Sequence, residues 1–190
     1  SYRTALVGGT FNIIQTNSGY AFLGGGLRNE VDGDAASVLG GRDNTARSLA
    51  AVVLGGESNV VRSTSLFTLT YPADRSVIAA GLGNSILGAS HSFLGGGQAN
   101  SASRADWGVL GGGSSNRISA DAAFLGGGQN NTNAGLRSTL AGGWLNRIES
   151  TGENSFIGSG WSNYVAGNHS SIVGGSLNVV ADTAGFATIG

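Results

Sequence analysis

The sequence predicts an all-β chain, a parallel β-solenoid or β-roll of about eleven coils of 15–17 residues. Three observations carry that prediction. A Gly-x-x-Asn phrase recurs along the whole chain, aliphatic residues hold fixed places relative to it, and the residues around them alternate with a period of two. The asparagines are Asn12, Asn29, Asn44, Asn59, Asn84, Asn100, Asn116, Asn131, Asn146, Asn163 and Asn178, each preceded at three residues by Gly, as in Gly26, Gly97 and Gly128. Consecutive asparagines lie 15 to 17 residues apart, except for one step of 25 between Asn59 and Asn84. A short fixed period of this kind describes one small unit stacked many times.

With each asparagine set at position 0, the first element is a strand. Position −6 is always aliphatic (Leu23, Val53, Ile78, Leu94, Leu125, Ile157), position −8 is always small (Ala21, Ser92, Ala123, Ser155), and position −4 is Gly in nine of the eleven copies. Side chains two apart share a face of a strand, so these positions point inward together. Glycine at −3 then supplies a bend, expected at positive φ. A second, short strand follows. Its position +2 is aliphatic or Ala in ten copies (Ile14, Val31, Ile118, Val165), with Asn133 as the exception. A second turn closes the coil. A helix is excluded, because it needs apolar residues three and four apart over ten or more residues.

Composition agrees with this reading. Glycine supplies 35 of 190 residues, far above the usual ~7%, yet without collagen's every-third spacing. An apolar content of 40% is too high for a disordered Gly-rich linker. Ten basic residues, all Arg, balance eleven acidic ones without a basic stripe, which argues against a nucleic-acid partner. There is no Cys, hence no disulfide or thiolate metal site, and no apolar run approaches the roughly 20 residues of a membrane helix. Residues 1–190 read as a single repeat domain. The segment Ala187-Thr188-Ile189-Gly190 starts a further copy, so the chain is expected to be a piece of a longer fibre.

The other face of the first strand is apolar as well. Position −7 carries Phe22, Val52, Val77, Phe93, Val109, Phe124 and Phe156. Position −5 trades volume with it: every Phe at −7 meets Gly at −5, whereas Ser37 meets Leu39 and Ser171 meets Val173; Val52 with Leu54 and Thr139 with Ala141 break the trend. Volume trading means that both positions fill one packed space. That space lies outside the coil, and the chain has no spare segment to cover it. The reading is that other copies of the chain do so, as a homotrimer packed or intertwined on a common axis lined by the −7 row.

The unit Ser92-Phe93-Leu94-Gly95-Gly96-Gly97-Gln98-Ala99-Asn100-Ser101-Ala102 resembles the head repeats of trimeric autotransporter adhesins, with one extra Gly in the turn. The phrase Leu-Gly-Gly-Gly-x-x-Asn is also similar to repeats of phage and phage-like tail fibres. The resemblance covers all of the chain except the insertion. It implies a left-handed trimeric β-roll on a bacterial cell surface or a virion, with an extracellular location.

Three spots stand out beyond the scaffold. The asparagine row reads as structural turn residues (Asn29, Asn100 and Asn131 with Gly26, Gly97 and Gly128) whose stacked amides bond coil to coil. The calcium-binding nonapeptide would need an Asp row that is absent. The 25-residue step inserts a loop, 62–75, in which Phe67, Leu69 and Tyr71 alternate with Thr68 and Thr70. Two readings of it stay open, a binding loop on a rigid scaffold and a clamp on a neighbouring chain. Finally, Trp144 and Trp161 occupy −2 in consecutive coils, with Tyr164 at +1 beside them. Flat exposed aromatics suit sugar rings, and mutual stacking to protect a turn is the competing role.

No catalytic, cofactor or metal residues are expected. His91 and His169 fall five coils apart, and the nearest carboxylates, Glu149 and Glu153, read as solvated surface. The favoured function is a non-enzymatic trimeric fibre segment, shaft or head, that attaches to a host cell or surface. The alternatives are a glycan-binding or protein-binding receptor module and a segment of a β-helical polysaccharide depolymerase.

Overall fold

The computed structural model describes residues 3–16, 18–66 and 69–190, without the side chains at 65, 66 and 69–71. It is a parallel β-solenoid. One sheet has twelve strands and another eleven; each strand pairs with its counterpart one coil away, and the two sheets alternate along the chain. The first sheet contains the −7/−6 pairs, such as Phe22–Leu23, Phe93–Leu94 and Phe156–Ile157. The second contains the +1/+2 pairs, such as Glu30–Val31 and Arg117–Ile118. Register is kept throughout: Phe22 lies beside Ser37, and Glu30 beside Thr45.

The strands are short because the corners are close together. Between the two sheets runs a third ladder, of single-residue parallel bridges at −2, from Thr10 through Trp144 and Trp161 to Ser176. The expected first turn is therefore itself a hydrogen-bonded side of the coil. Its N–H donates to the −3 carbonyl of the next coil, as from Leu27 to Gly41 at 2.9 Å.

The core is one file of small and aliphatic side chains. Leu23, Ile78, Leu94, Leu125 and Ile157 at −6 and Val31, Ile86, Ile118, Ile148 and Val165 at +2 are fully buried, with Ala21, Ala36 and Ala51 at −8 among them. Each large aliphatic side chain so buried stabilises by about 1.5–3 kcal/mol. Asn133 replaces an aliphatic residue in this file and is equally buried. Its Nδ2 donates to the carbonyls of Phe124 and Ser138 at 2.9 and 3.1 Å, and its Oδ1 accepts from Gly135 N and Ser138 Oγ. Satisfying all of these bonds removes the main cost of a buried amide.

The Gly-x-x-Asn phrase is the corner between the sheets. Every −3 glycine has φ between 83° and 109°. A Cβ on Gly113 would lie 2.1 Å from the carbonyl oxygen of Gly128 in the next coil and 2.6 Å from Asn116 Nδ2. Both conformation and space thus demand glycine. The Asn116 side chain fills the corner. Nδ2 donates to Gly112 O of its own coil at 2.9 Å and to Gly128 O of the next at 2.8 Å, while Oδ1 accepts Asn131 N–H at 2.9 Å. The same three bonds repeat from Asn29 to Asn163, and these asparagines are buried.

Two further corners use left-handed residues that are not glycine. Position −1 (Arg28, Asp43, Ser58, Leu145) and, from Tyr20 onward, position −9 (Tyr20, His91, Trp107, Arg137) have φ of 52–58° or close to it, with Gly83 as the one glycine at −1. Such a conformation costs roughly 1–2 kcal/mol per residue. From Arg28 and Ala35 onward these residues are held by their N–H groups, which bond the preceding coil: Arg28 N to Thr10 O and Trp107 N to Ser90 O, both 2.9 Å. At −10, carboxylates extend the same ladder, with Asp106 Oδ1 accepting from Ser90 N at 2.7 Å and Asp121 Oδ1 from Asp106 N at 2.9 Å.

The insertion does not disturb the stack. Val52 pairs with Val77 and Val60 with Ser85 across it, in the common register. The inserted segment forms an antiparallel hairpin, Thr64–Leu66 with Leu69–Tyr71. Ala73 brings the chain back into the core.

The corner asparagine makes a direct test. Asn116→Ala leaves Gly112 O and Asn131 N–H without partners, while Gly128 O keeps the Ser114 N–H, and should cost about 3 kcal/mol. Asn116→Asp turns an acceptor toward the same carbonyls and should cost at least as much. Asn178→Ala, at the last complete corner, should cost clearly less. Denaturant unfolding followed by circular dichroism checks all three, and equal stability of Asn116→Ala and wild type would rule out the corner's role.

Candidate interaction surfaces

The outer face of the first sheet is an apolar stripe. Phe22, Phe93, Phe124 and Phe156 remain 37, 42, 41 and 38% exposed, and Val52, Val77 and Val109 are half-buried beside them. Each Phe ring folds back over the −5 glycine of its own coil. Cε1 of Phe22 lies 3.2 Å from where a Cβ on Gly24 would sit, and that of Phe124 lies 3.4 Å from the same point on Gly126. The volume trade seen in the sequence is this contact. Where −7 is small, the exposed apolar side chain is instead the one at −5, as in Leu39 and Val173.

The outer face of the second sheet is different in kind. Its +1 row is mixed but mainly polar, with Glu30, Thr45, Ser85, Ser101, Arg117, Thr132 and Arg147 beside Ile13, Val60, Tyr164 and Val179, of which Ile13 and Val179 are exposed. Ion pairs tie Arg47 to Glu30 at 2.5 Å and Arg147 to Glu149 at 2.6 Å on this face, Arg28 to Asp43 at 2.8 Å at the −1 corner, and Arg42 to Glu57 on the third ladder. Glu153 faces Arg137 at 3.7 Å. Glu149 and Glu153 are therefore held by different arginines and do not converge. Burial works against the Glu30 carboxylate, but hydrogen bonds from Arg47 and Gln15 outweigh it and hold the group below the usual carboxylate range.

Trp144 and Trp161 stack across consecutive coils, with ring centroids 5.9 Å apart and an interplanar angle of 18°. Both stay partly exposed on the third ladder. Tyr164 does not join them. It lines a shallow groove on the second sheet with Glu149, Ser150, Val179 and Asp182, and neither Trp is among the walls. Burial and the nearby Glu149 carboxylate push its hydroxyl above the ordinary tyrosine value. Position −9 yields two stacks that the sequence reading passed over, His91 on Trp107 at 5.7 Å and His169 on Phe186 at 4.9 Å. The repeat ruler alone could have found them, because in each case the two rings occupy one position in successive coils.

Of the insertion residues singled out by sequence, Phe67 lies outside the described residues. Leu69 and Tyr71 are placed by their backbone at the two ends of the returning hairpin strand, opposite Leu66 and Thr64. A second groove lies on the second sheet and is lined by Thr45, Arg47, Val60, Arg62, Ser85 and Leu87. Arg62 and Val60 belong to the strand that leads into the hairpin. Among the described residues no three His, Asp or Glu side chains group as a metal site.

Fold and surfaces together define a parallel β-solenoid with one mainly apolar and one mainly polar sheet face. No protein-family model matches the chain, and no curated protein matches it.

The Glu30 pair gives a pH test. A carboxyl held low when folded adds stability above its unfolded value, and that contribution is lost as pH falls through the folded value. Arg47→Ala should raise the Glu30 carboxyl toward its reference of 4.5 and remove at most about 1 kcal/mol near neutral pH, as for a partly exposed pair. Side-chain NMR titration reads the shift, and an unchanged Glu30 would refute the assignment.

Proposed function

We propose that this chain is a segment of a trimeric fibre, the shaft or head of an extracellular appendage on a bacterial surface or virion, and that it attaches its bearer to a host cell or surface without catalysing a reaction. The observation that supports this reading is the contrast between the two sheet faces. A stripe of partly exposed Phe and Val on one sheet, interrupted at Ser37, Thr139 and Ser171, where Leu39 and Val173 stand exposed beside two of the gaps, faces a more polar row on the other sheet and is the pattern of a rod with one face covered. Three copies converging on one axis cover three such stripes at once, and closed rotational symmetry stops the assembly from growing sideways. The sequence resemblance to trimeric adhesin heads and tail-fibre repeats leads to the same arrangement.

A second reading, a glycan-binding receptor module, is favoured by the partly exposed Trp144–Trp161 stack. An aromatic plate offers its face to the C–H side of a sugar ring.

Sedimentation equilibrium of the chain tests the first reading. Three times the monomer mass is expected, and a monomer at micromolar concentration would sink it. Phe124→Asp places a charge on the axis and should reduce assembly by more than tenfold while the circular dichroism of the coil is kept. A variant that still sediments as wild type would remove the −7 row from the interface.

A further inference from the structure

The −9 corner stacks its side chains vertically. His91 lies on Trp107 with planes 10° apart, and His169 lies on Phe186 with planes 11° apart. Rings at this position therefore fall face to face one coil at a time. The column around Trp107 reads His91, Trp107, Ala122, Arg137. His91 covers one face of the indole. The residue due to cover the other is Ala122, whose side chain is a single methyl group. Trp107 is 61% exposed.

Above the missing ring stands Arg137. Its guanidinium is held from the far side, Nε donating to Asn154 Oδ1 at 2.9 Å and Nη2 lying 3.7 Å from Glu153. Coils are about 4.8 Å apart, so Trp107 and Arg137 are separated by roughly 10 Å, of which about 6 Å is clear once the two flat groups are subtracted. Asp121 adjoins Ala122 in the same coil. One of its oxygens is used by Asp106 N, at 2.9 Å, and the carboxylate has further lone pairs for other donors.

We propose that the space between Trp107 and Arg137 is a binding slot for one pyranose ring of a host-surface glycan. The sugar's C–H face lies on the indole, its hydroxyls donate to the Asp121 carboxylate, and a ring or hydroxyl oxygen accepts from Arg137. This combination matches a sugar better than a purely apolar ligand, which would make no use of the remaining lone pairs of Asp121 and the remaining N–H groups of Arg137, or an anion, which Asp121 would repel. The inference rests on the glycan-binding reading above, moves its site from the third ladder to the −9 corner, and does not depend on the number of chains in the assembly.

The test uses the three indole N–H signals of the intact chain, assigned with single Trp→Phe variants. Methyl β-glucopyranoside, methyl β-galactopyranoside and methyl α-mannopyranoside are titrated in turn. A saturable shift of the Trp107 signal with at least one sugar is expected, with the Trp144 and Trp161 signals unmoved. Ala122→Phe supplies the missing ring and should abolish that shift. The column already holds Phe186 and Trp107 at φ of 62° and 56°, against 53° for Ala122, so the variant suits the backbone.

No shift at Trp107 with any sugar would overturn the proposal, as would a shift that survives in Ala122→Phe. A shift only at Trp144 or Trp161 would return the glycan reading to the third ladder and overturn this slot alone. If Ala122→Phe changes the oligomer, measured on the same samples by sedimentation, the slot is a contact between copies and the proposal falls.

Discussion

The buried carboxamide at each corner is the interaction on which the remaining structure depends. A coil of 15–17 residues has little interior, and its backbone must turn from one sheet to the other within a few residues. That turn strands the carbonyl at −4 and the N–H at 0, and leaves the −3 carbonyl, which already accepts the −2 N–H, with a second lone pair to fill. One Asn side chain meets all three, bonding within its own coil and to the coil above. Because two of the three bonds cross to the next coil, the corner also fixes register. Glycine at −3 follows from the same geometry, since the neighbouring glycine's carbonyl occupies the place of a Cβ.

Left-handed corners at −1 and −9 show why a coil is stable only within a stack. Each residue there is strained by itself, and the N–H that offsets the strain reaches its acceptor in the preceding coil. Local cost and non-local compensation make the array cooperative over neighbours, as in other one-dimensional repeats. The hairpin insertion is tolerated for the same reason. Strands on both sides of it keep their partners, so the added residues leave the coil and return without breaking a ladder.

Much of this was legible in the sequence because period and volume are both written there. Inward aliphatic residues at −6 and +2, the glycine bend at −3 and the asparagine row all follow from spacing. The corners at −1 and −9 were not legible. Their residues range from Arg28 and Asp43 to Leu145 and Trp107, so no side-chain chemistry marks a conformation imposed by backbone bonds between coils. The third ladder at −2 was hidden likewise, behind residues as unlike as Glu57, Gln98 and Trp144. Asn133 read as a break in the core pattern, because its partners Phe124 O and Ser138 meet it only after folding. For the candidate surfaces, the Phe–Gly trade and the stacked tryptophans were visible. The placement of Tyr164 in a groove with Asp182 was not, since +1 residues face a different side of the coil from those at −2.

Hydrogen exchange of the asparagine side-chain amides, resolved by NMR, probes the corner most directly. Carboxamides of the buried row, Asn29 through Asn163, should exchange with the slow rates of ladder amides, while those of Asn12 and Asn178, at the two ends, should exchange faster by an order of magnitude or more. Uniformly rapid exchange along the row would show that the amides do not hold the coils together, and would contradict the account.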